Sequence, residues 1–179
     1  RGRSGKVCIT QTRPRLTSVA GNIETVHLSS SGKRAIVTAR GEVFTVPTKH
    51  GSVRNLSRSA GVREYTGLWS PEGDRVAWIE QEADGQALLV ADQHGEIFQR
   101  YPLGETFHEL EAWSPDGSRI ALTDIRLNTI LFELTRGDRT VVDTQERRGG
   151  SRLAFSPDGR WLAYTKERMN YLGDLMLHE

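Results

Sequence analysis

Trp113-Ser114-Pro115-Asp116-Gly117 runs directly into Ser118-Arg119-Ile120-Ala121-Leu122. Serine at the first place, proline at the second and an acid at the third suit a type I turn. Glycine suits the left-handed position that follows. Such a turn with a glycine bulge is a common link between antiparallel strands. An apolar residue precedes the turn and a short apolar run follows it, so the stretch predicts a tight β-hairpin. It recurs as Phe155-Ser156-Pro157-Asp158-Gly159 and as Trp69-Ser70-Pro71-Glu72-Gly73, with a weaker copy at Leu28-Ser29-Ser30-Ser31-Gly32.

The turn glycines at 32, 73, 117 and 159 are 41, 44 and 42 residues apart. A strand-rich period of about 40–45 residues marks propeller blades, each a four-stranded antiparallel sheet. The expected fold is therefore all-β: a β-propeller segment of about three complete blades with partial blades at both ends. Residues 1–22, with strand-like pieces at Lys6-Val-Cys-Ile-Thr10 and Arg15-Leu16-Thr17, read as the end of a preceding blade. Blades follow at 22–58, 59–102 and 103–144, and a partial blade at 145–179. Known propellers use about four to eight blades. Three complete blades do not close a ring, which predicts one incomplete propeller domain with open faces that self-associates when expressed alone.

Alanine stands four residues after the turn glycine in three units, as Ala77, Ala121 and Ala163, between larger neighbours. Strand alternation sends the alanine to one face and its neighbours to the other. A small residue there lets adjacent blades approach closely. The first unit has Ile36 instead, which predicts a different contact with its neighbour.

The charges nearly cancel, 24 basic against 23 acidic with a net charge of +1. That balance gives no electrostatic reason to expect a nucleic acid or an anionic membrane surface as partner. No apolar stretch approaches the roughly 18–20 residues that span a bilayer. The single cysteine, Cys8, excludes an internal disulfide framework and a cysteine-rich zinc site. The basic N-terminus is not followed by an apolar secretory core, so a cytoplasmic setting is expected.

No catalytic, cofactor-binding or metal-binding residue emerges from the motifs. Ser70, Ser114 and Ser156 open repeated turns, and no Gly-x-Ser-x-Gly elbow occurs. Histidines stand at 27, 50, 94, 108 and 178. His108-Glu109 with Glu111 lacks a second nearby histidine, and a solvent-facing strand edge is expected there. Asp84, Asp116 and Asp158 are expected to bond their own turns. Gly2-Arg-Ser-Gly5-Lys6 has the wrong spacing for a phosphate loop, and Val7 stands where a magnesium-binding hydroxyl belongs. Arg147-Arg148-Gly149-Gly150 has the chemistry to hold a phosphate or peptide carboxylate, but reads as a solvated loop. Asn55-Leu56-Ser57 fits a glycosylation triplet without a secretion signal to use it. Trp69, Trp113, Phe155 and Trp161 read as core aromatics.

The core motif resembles the PD40, or WD40-like, propeller repeat of TolB-type proteins, tricorn proteases and prolyl-oligopeptidase relatives. Longer stretches resemble the second propeller of bacterial tricorn proteases. They are Val19-Ala-Gly-Asn-Ile23, Ser31-Gly-Lys-Arg-Ala35, Ala39-Arg-Gly-Glu-Val-Phe-Thr-Val-Pro47, Gly51-Ser-Val-Arg-Asn-Leu56 and Ser59-Ala-Gly-Val-Arg63. Thr123-Asp-Ile-Arg-Leu-Asn128 and Trp161-Leu-Ala-Tyr-Thr-Lys166 extend the likeness. It implies a large cytosolic serine-type peptidase that cuts oligopeptides, with two propellers, a PDZ-like domain, a separate catalytic region and hexameric assembly. This segment would then be non-catalytic and cofactor-free. It would form part of a peptide access channel and dock against the remaining blades and catalytic domains of the same protease. The alternatives are a stand-alone TolB- or WD40-like interaction propeller and the propeller cap of a prolyl-oligopeptidase-type enzyme. The sequence departs from the tricorn pattern at Tyr65-Thr-Gly67 and at Thr106-Phe-His-Glu-Leu-Glu111, where local contacts are expected to differ.

Overall fold

Each repeated turn closes as its residues require. In the computed structural model, which describes residues 20–59, 61–149 and 152–179, the glycine N–H donates back to the carbonyl of the serine that opens the turn. The distances are 2.9 Å at Gly32, 3.0 Å at Gly73, 2.9 Å at Gly117 and 2.8 Å at Gly159. All four glycines have φ between 65° and 76°, the left-handed region that a Cβ disfavours. The serine N–H then bonds the carbonyl two residues past the glycine, which completes the hairpin.

These hairpins organise fifteen strands, among the described residues, into four antiparallel sheets in simple meander order. The first sheet holds β1 (Ile23–Leu28), β2 (Arg34–Ala39), β3 (Glu42–Pro47) and β4 (Arg54–Asn55). The second holds β5 (Arg63–Trp69), β6 (Arg75–Glu82), β7 (Gly85–Asp92) and β8 (Ile97–Gly104). The third holds β9 (His108–Trp113), β10 (Arg119–Asp124), β11 (Asn128–Glu133) and β12 (Asp138–Thr144). The fourth holds β13 (Leu153–Phe155), β14 (Leu162–Glu167) and β15 (Gly173–His178). The one helical piece among the described residues is a 3-10 turn at Ala20–Asn22. The expected strands before Val19 lie outside the described residues.

The first strands β1, β5, β9 and β13 contact one another in series, so the sheets fan out from a shared inner edge. Pro102 is tolerated in β8 because that strand is the outer edge of its sheet, where one face of the backbone needs no partner. β1, β5 and β9 each carry an irregularity that leaves Glu24, Thr66-Gly67 and Glu111 out of register. Such bulges bend a strand and re-aim side chains.

Apolar side chains fill the three seams. Ile36, Val43 and Leu56 of the first sheet pack with Trp69, Val76, Trp78 and Leu89 of the second. The opposite face of the second sheet, including Ala77, Ile79 and Leu88, packs with Trp113, Ile120, Leu122 and Phe132 of the third. The third seam has a smaller buried centre of Ala121, Leu162 and Tyr164. Ala77 and Ala121 are fully buried on the faces turned toward the next sheet, as their size suggested. Ile36 occupies the same place in the first sheet, and the residue it meets is Gly67.

Two of the four expected core aromatics depart. Trp69 and Trp113 are buried, but Phe155 is half-buried and Trp161 is 37% exposed. Trp161 stands two residues past the turn glycine, where the other units carry Arg34, Arg75 and Arg119. Arg75 and Arg119 reach across the seam to the carbonyls of Gly117 at 3.3 Å and Gly159 at 2.5 Å. Their guanidinium groups also lie over the rings of Trp113 and Phe155. Arg34 instead donates to Thr45 and the Ser52 carbonyl within its own unit, so the position lies at the margin of its sheet, and a tryptophan there is exposed.

Glu64 is a fully buried carboxyl on β5. The Ser59 hydroxyl donates to one of its oxygens, while the other has no partner among the described residues. Burial pushes its pKa above the usual carboxylate range, aided by the Glu80 and Glu42 charges and opposed by the Ser59 and Ser57 hydroxyls. The folded value exceeds the unfolded one, so this group favours folding most at pH below the unfolded value. That contribution is lost as pH rises through the folded value. Glu64→Gln is expected to stabilise the fold by about 1 kcal/mol at neutral pH and to change little in acid. Thermal melts of both proteins across pH check this; a constant offset at every pH removes the ionisation argument.

Candidate functional site

The turn serines are held by their own turns. The Ser114 hydroxyl donates to Asp116 Oδ1 at 2.6 Å and accepts the Arg119 N–H at 2.8 Å. Ser156 makes the same pair of bonds to Asp158 and Trp161. Ser70 keeps the geometry but donates to Asp74 at 2.8 Å, since Glu72 stands where the other two turns carry aspartate. Asp116 lies below its usual pKa chiefly through the Ser114 hydroxyl, and Asp158 likewise through Ser156. Ser114 is fully buried, so Ser114→Ala strands the Arg119 N–H. It is expected to cost about 1–2 kcal/mol and to raise the Asp116 pKa. Urea unfolding together with carboxyl NMR titration checks both.

The histidines are distributed over separate seams and surfaces. His27 Nδ1 accepts the Trp69 N–H at 3.2 Å across the first seam. His94 Nδ1 accepts from Arg54 at 2.9 Å, while His50 is exposed. His108 corrects the expectation of a solvent-facing edge: it is 2% exposed, and its N–H donates to Gln86 Oε1 at 2.6 Å. β9 is an edge by topology, yet its neighbours in the fan cover it. Burial lowers the His108 pKa, with Asp124 opposing and Arg139 assisting that shift. Among the described residues, no three His, Cys, Asp or Glu side chains gather as a metal-binding group. No helix there is long and apolar enough to cross a membrane.

A concave feature lined by charged side chains lies at the end of the third sheet opposite the serine turns. A cavity of about 230 Å³ opens between the inner strand β9, the β10–β11 turn and the connection 145–149 toward the fourth sheet. Its lining includes Glu109, Glu111 and Asp124 from β9 and β10, and Arg147 and Arg148 from the connection. The bulge in β9 aims Glu111, whose Oε1 accepts the Thr123 hydroxyl at 2.8 Å. Burial pushes the Glu111 pKa up, opposed by the Thr123 bond and reinforced by the Glu109 charge. Asp124 accepts the Asn128 N–H at 2.9 Å and its side-chain amide at 2.8 Å, which fixes the turn.

Arg147 does not behave as part of a solvated loop. Its guanidinium reaches Glu167 at 3.6 Å and lies 4.1 Å from the centre of the Tyr171 ring. Arg148 is exposed. The sequence had drawn attention to both sides of this cavity, at Thr106–Glu111 and at the arginine pair, without joining them. The bulge at Glu111 leaves no local signature, and bringing the two segments to one cavity needs the fold.

No family model matches the chain. Over 142 residues, covering 75% of this chain and 13% of the relative, it is 30% identical to tricorn protease homolog 1 of Streptomyces coelicolor. The chain thus spans about an eighth of that relative's length. A crystal structure of the tricorn protease superposes with a TM-score of 0.66 at 18% identity, covering 88% of this chain and 15% of that one. TolB from Acinetobacter baumannii superposes with a TM-score of 0.67 at 12% identity, covering 88% and 41%. The structural likenesses establish the propeller architecture. With the sequence identity extending over three quarters of the residues, they make the chain a tricorn-like PD40 propeller segment.

Proposed function

We propose that this segment is a non-catalytic part of a cytoplasmic, oligomeric serine-type peptidase, where it lines part of the access route for oligopeptides and docks against the catalytic region. The observation that carries the reading is the 30% identity to a tricorn protease homologue of which the chain covers 13%. A segment of that share leaves most of such a protein to supply chemistry. The commitment of the turn serines to their own hairpins supports a non-catalytic role. The cavity at the inner strand, with carboxylates and guanidinium groups in its lining, suits contact with peptide termini and main chain.

Fluorogenic oligopeptides offered to the complete protein and to residues 20–179 alone test the reading. Hydrolysis is expected from the complete protein and none from the purified segment. Turnover by the segment places the chemistry here and overturns the proposal, as does a complete protein without peptidase activity.

A further inference from the structure

We propose that Glu64 is a pH-operated latch: uncharged, it holds the connection from β4 to β5 against the first seam, and its ionisation releases that connection. The carboxyl is fully buried on β5. The Ser59 hydroxyl donates to one of its oxygens, and the other is sealed from solvent without a partner among the described residues. An uncharged carboxyl loses little from one bare oxygen. A carboxylate spreads its charge over both and needs donors at each.

The surrounding charges supply no counter-ion. Glu80 stands opposite Glu64 in the ladder on β6 and pairs with Arg100 of β8 at 3.1 Å, which also reaches Glu82. Glu42 of β3 accepts the Asn55 side-chain amide at 2.6 Å. On β5 itself, Arg63 pairs with Glu24 of β1 at 3.3 Å. In the connection, the Arg58 guanidinium donates to the Asn55 carbonyl at 3.1 Å. Burial first, then the Glu80 and Glu42 charges, oppose ionisation of Glu64, while the Ser59 and Ser57 hydroxyls favour it. In the released form the carboxyl meets water and returns to the ordinary glutamate range. Opening is therefore favoured as pH rises from that range to the folded value, by at most about tenfold per pH unit.

The part free to move is the connection. The Glu64 N–H donates to the Gly41 carbonyl at 2.9 Å, which fixes the strand that carries the carboxyl. The outer strand β4 has only two residues, where β8 and β12 have eight and seven. Beyond Leu56 the chain is held by side chains. The Ser57 hydroxyl accepts the Val43 N–H at 3.2 Å and donates to Asn55 Oδ1 at 3.3 Å. The Arg58 N–H donates to the same Oδ1 at 3.1 Å, and Ser59 ends on Glu64. Arg58 has a φ of 47°, a left-handed conformation that its Cβ disfavours. Ionisation thus acts on a segment with few main-chain bonds to resist it.

Amide hydrogen exchange of the complete protein, read by mass spectrometry from about pH 5 to about pH 8, tests the latch. Glu64→Gln serves as the uncharged reference at each pH. The ratio of wild-type to variant exchange rates cancels the intrinsic pH dependence of the amides. Over peptides spanning Val43 and Arg58 the ratio is expected to rise at least about fivefold across the range, while it stays level over Arg75–Glu82. Ser59→Ala keeps the carboxyl and removes its donor. It is expected to speed exchange of the same peptides relative to wild type and to enlarge the rise. A level ratio at Val43 and Arg58 shows that ionisation releases nothing, and an equal rise over Arg75–Glu82 shows that it weakens the whole fold; either overturns the latch. Ser59→Ala exchange equal to wild type at every pH overturns it as well, and this arm stands even where Glu64→Gln does not fold.

Discussion

Gly67→Ala is expected to destabilise the fold by about 2 kcal/mol, and most of that loss to vanish when Ile36 is also cut to alanine. A Cβ at position 67 would sit 2.8 Å from Ile36 Cδ1 and 2.9 Å from Cγ1, inside van der Waals contact. Ile36 has no room to withdraw, since it is fully buried between the first two sheets. The backbone cannot simply slide either, because the Gly67 N–H donates to Thr38 Oγ1 at 3.2 Å in the neighbouring sheet. Ile36→Ala alone opens a cavity and is expected to cost about 2–4 kcal/mol. In the double variant the alanine methyl occupies part of the vacated space. The double-mutant cycle should therefore return a coupling of at least about 1 kcal/mol in the compensating direction. Additive losses in denaturant melts would falsify the knob-and-hole contact.

That pair shows what was legible in the sequence and what was not. The turns were legible because their chemistry is local: Ser, Pro, Asp and Gly fix a hairpin without help from distant residues. Their spacing then gave the sheets, and Ile36 in the alanine place announced an unusual first seam. Gly67 was visible separately, as a departure from the family pattern. That the two departures are one contact depends on the packing of sheets about 30 residues apart in sequence, and neither residue alone specifies it.

The second departure, Thr106–Glu111, has the same character. It falls on another bulged inner strand, but there the bulge aims Glu111 at the cavity. His108 was misread for the related reason that an edge strand in one sheet is covered by the next sheet in a fan. Trp161 was misread in the opposite sense. Its aromatic character suggested core, whereas its register, two residues past the turn glycine, places it at the margin of the sheet.

Asp143→Ala is expected to cost about 2–3 kcal/mol and to release the fourth sheet before the others. The third seam has the smallest buried apolar centre of the three, so polar contacts carry more of it. Asp143 on β12 accepts the Lys166 ammonium at 2.5 Å and the Tyr164 hydroxyl at 3.0 Å, both from β14. The Lys166 and Asp143 side chains are only 15% and 17% exposed, so removing the carboxylate leaves a largely desolvated ammonium without its partner. Burial alone would raise the Asp143 pKa, but Lys166, the Thr144 N–H and Tyr164 more than reverse this and hold it below the usual range. Tyr164 is pushed up to about 12 by burial and then by Asp143.

Because the folded Asp143 value is depressed, its contribution is present above the unfolded value and lost as pH falls through the folded one. The wild-type third seam should thus weaken in acid, and the variant should lack that dependence. Hydrogen exchange resolves the location: Leu153–Phe155 and Leu162–Glu167 should lose protection while Arg75–Glu82 keeps it. Equal loss in both regions refutes a separable seam. A further variant separates charge from packing, since replacing Asp143 by leucine and Lys166 by methionine removes both charges and keeps apolar volume. Recovery of at least half the lost stability is expected. No recovery would show that the seam depends on this ion pair beyond the cost of leaving one member unpaired.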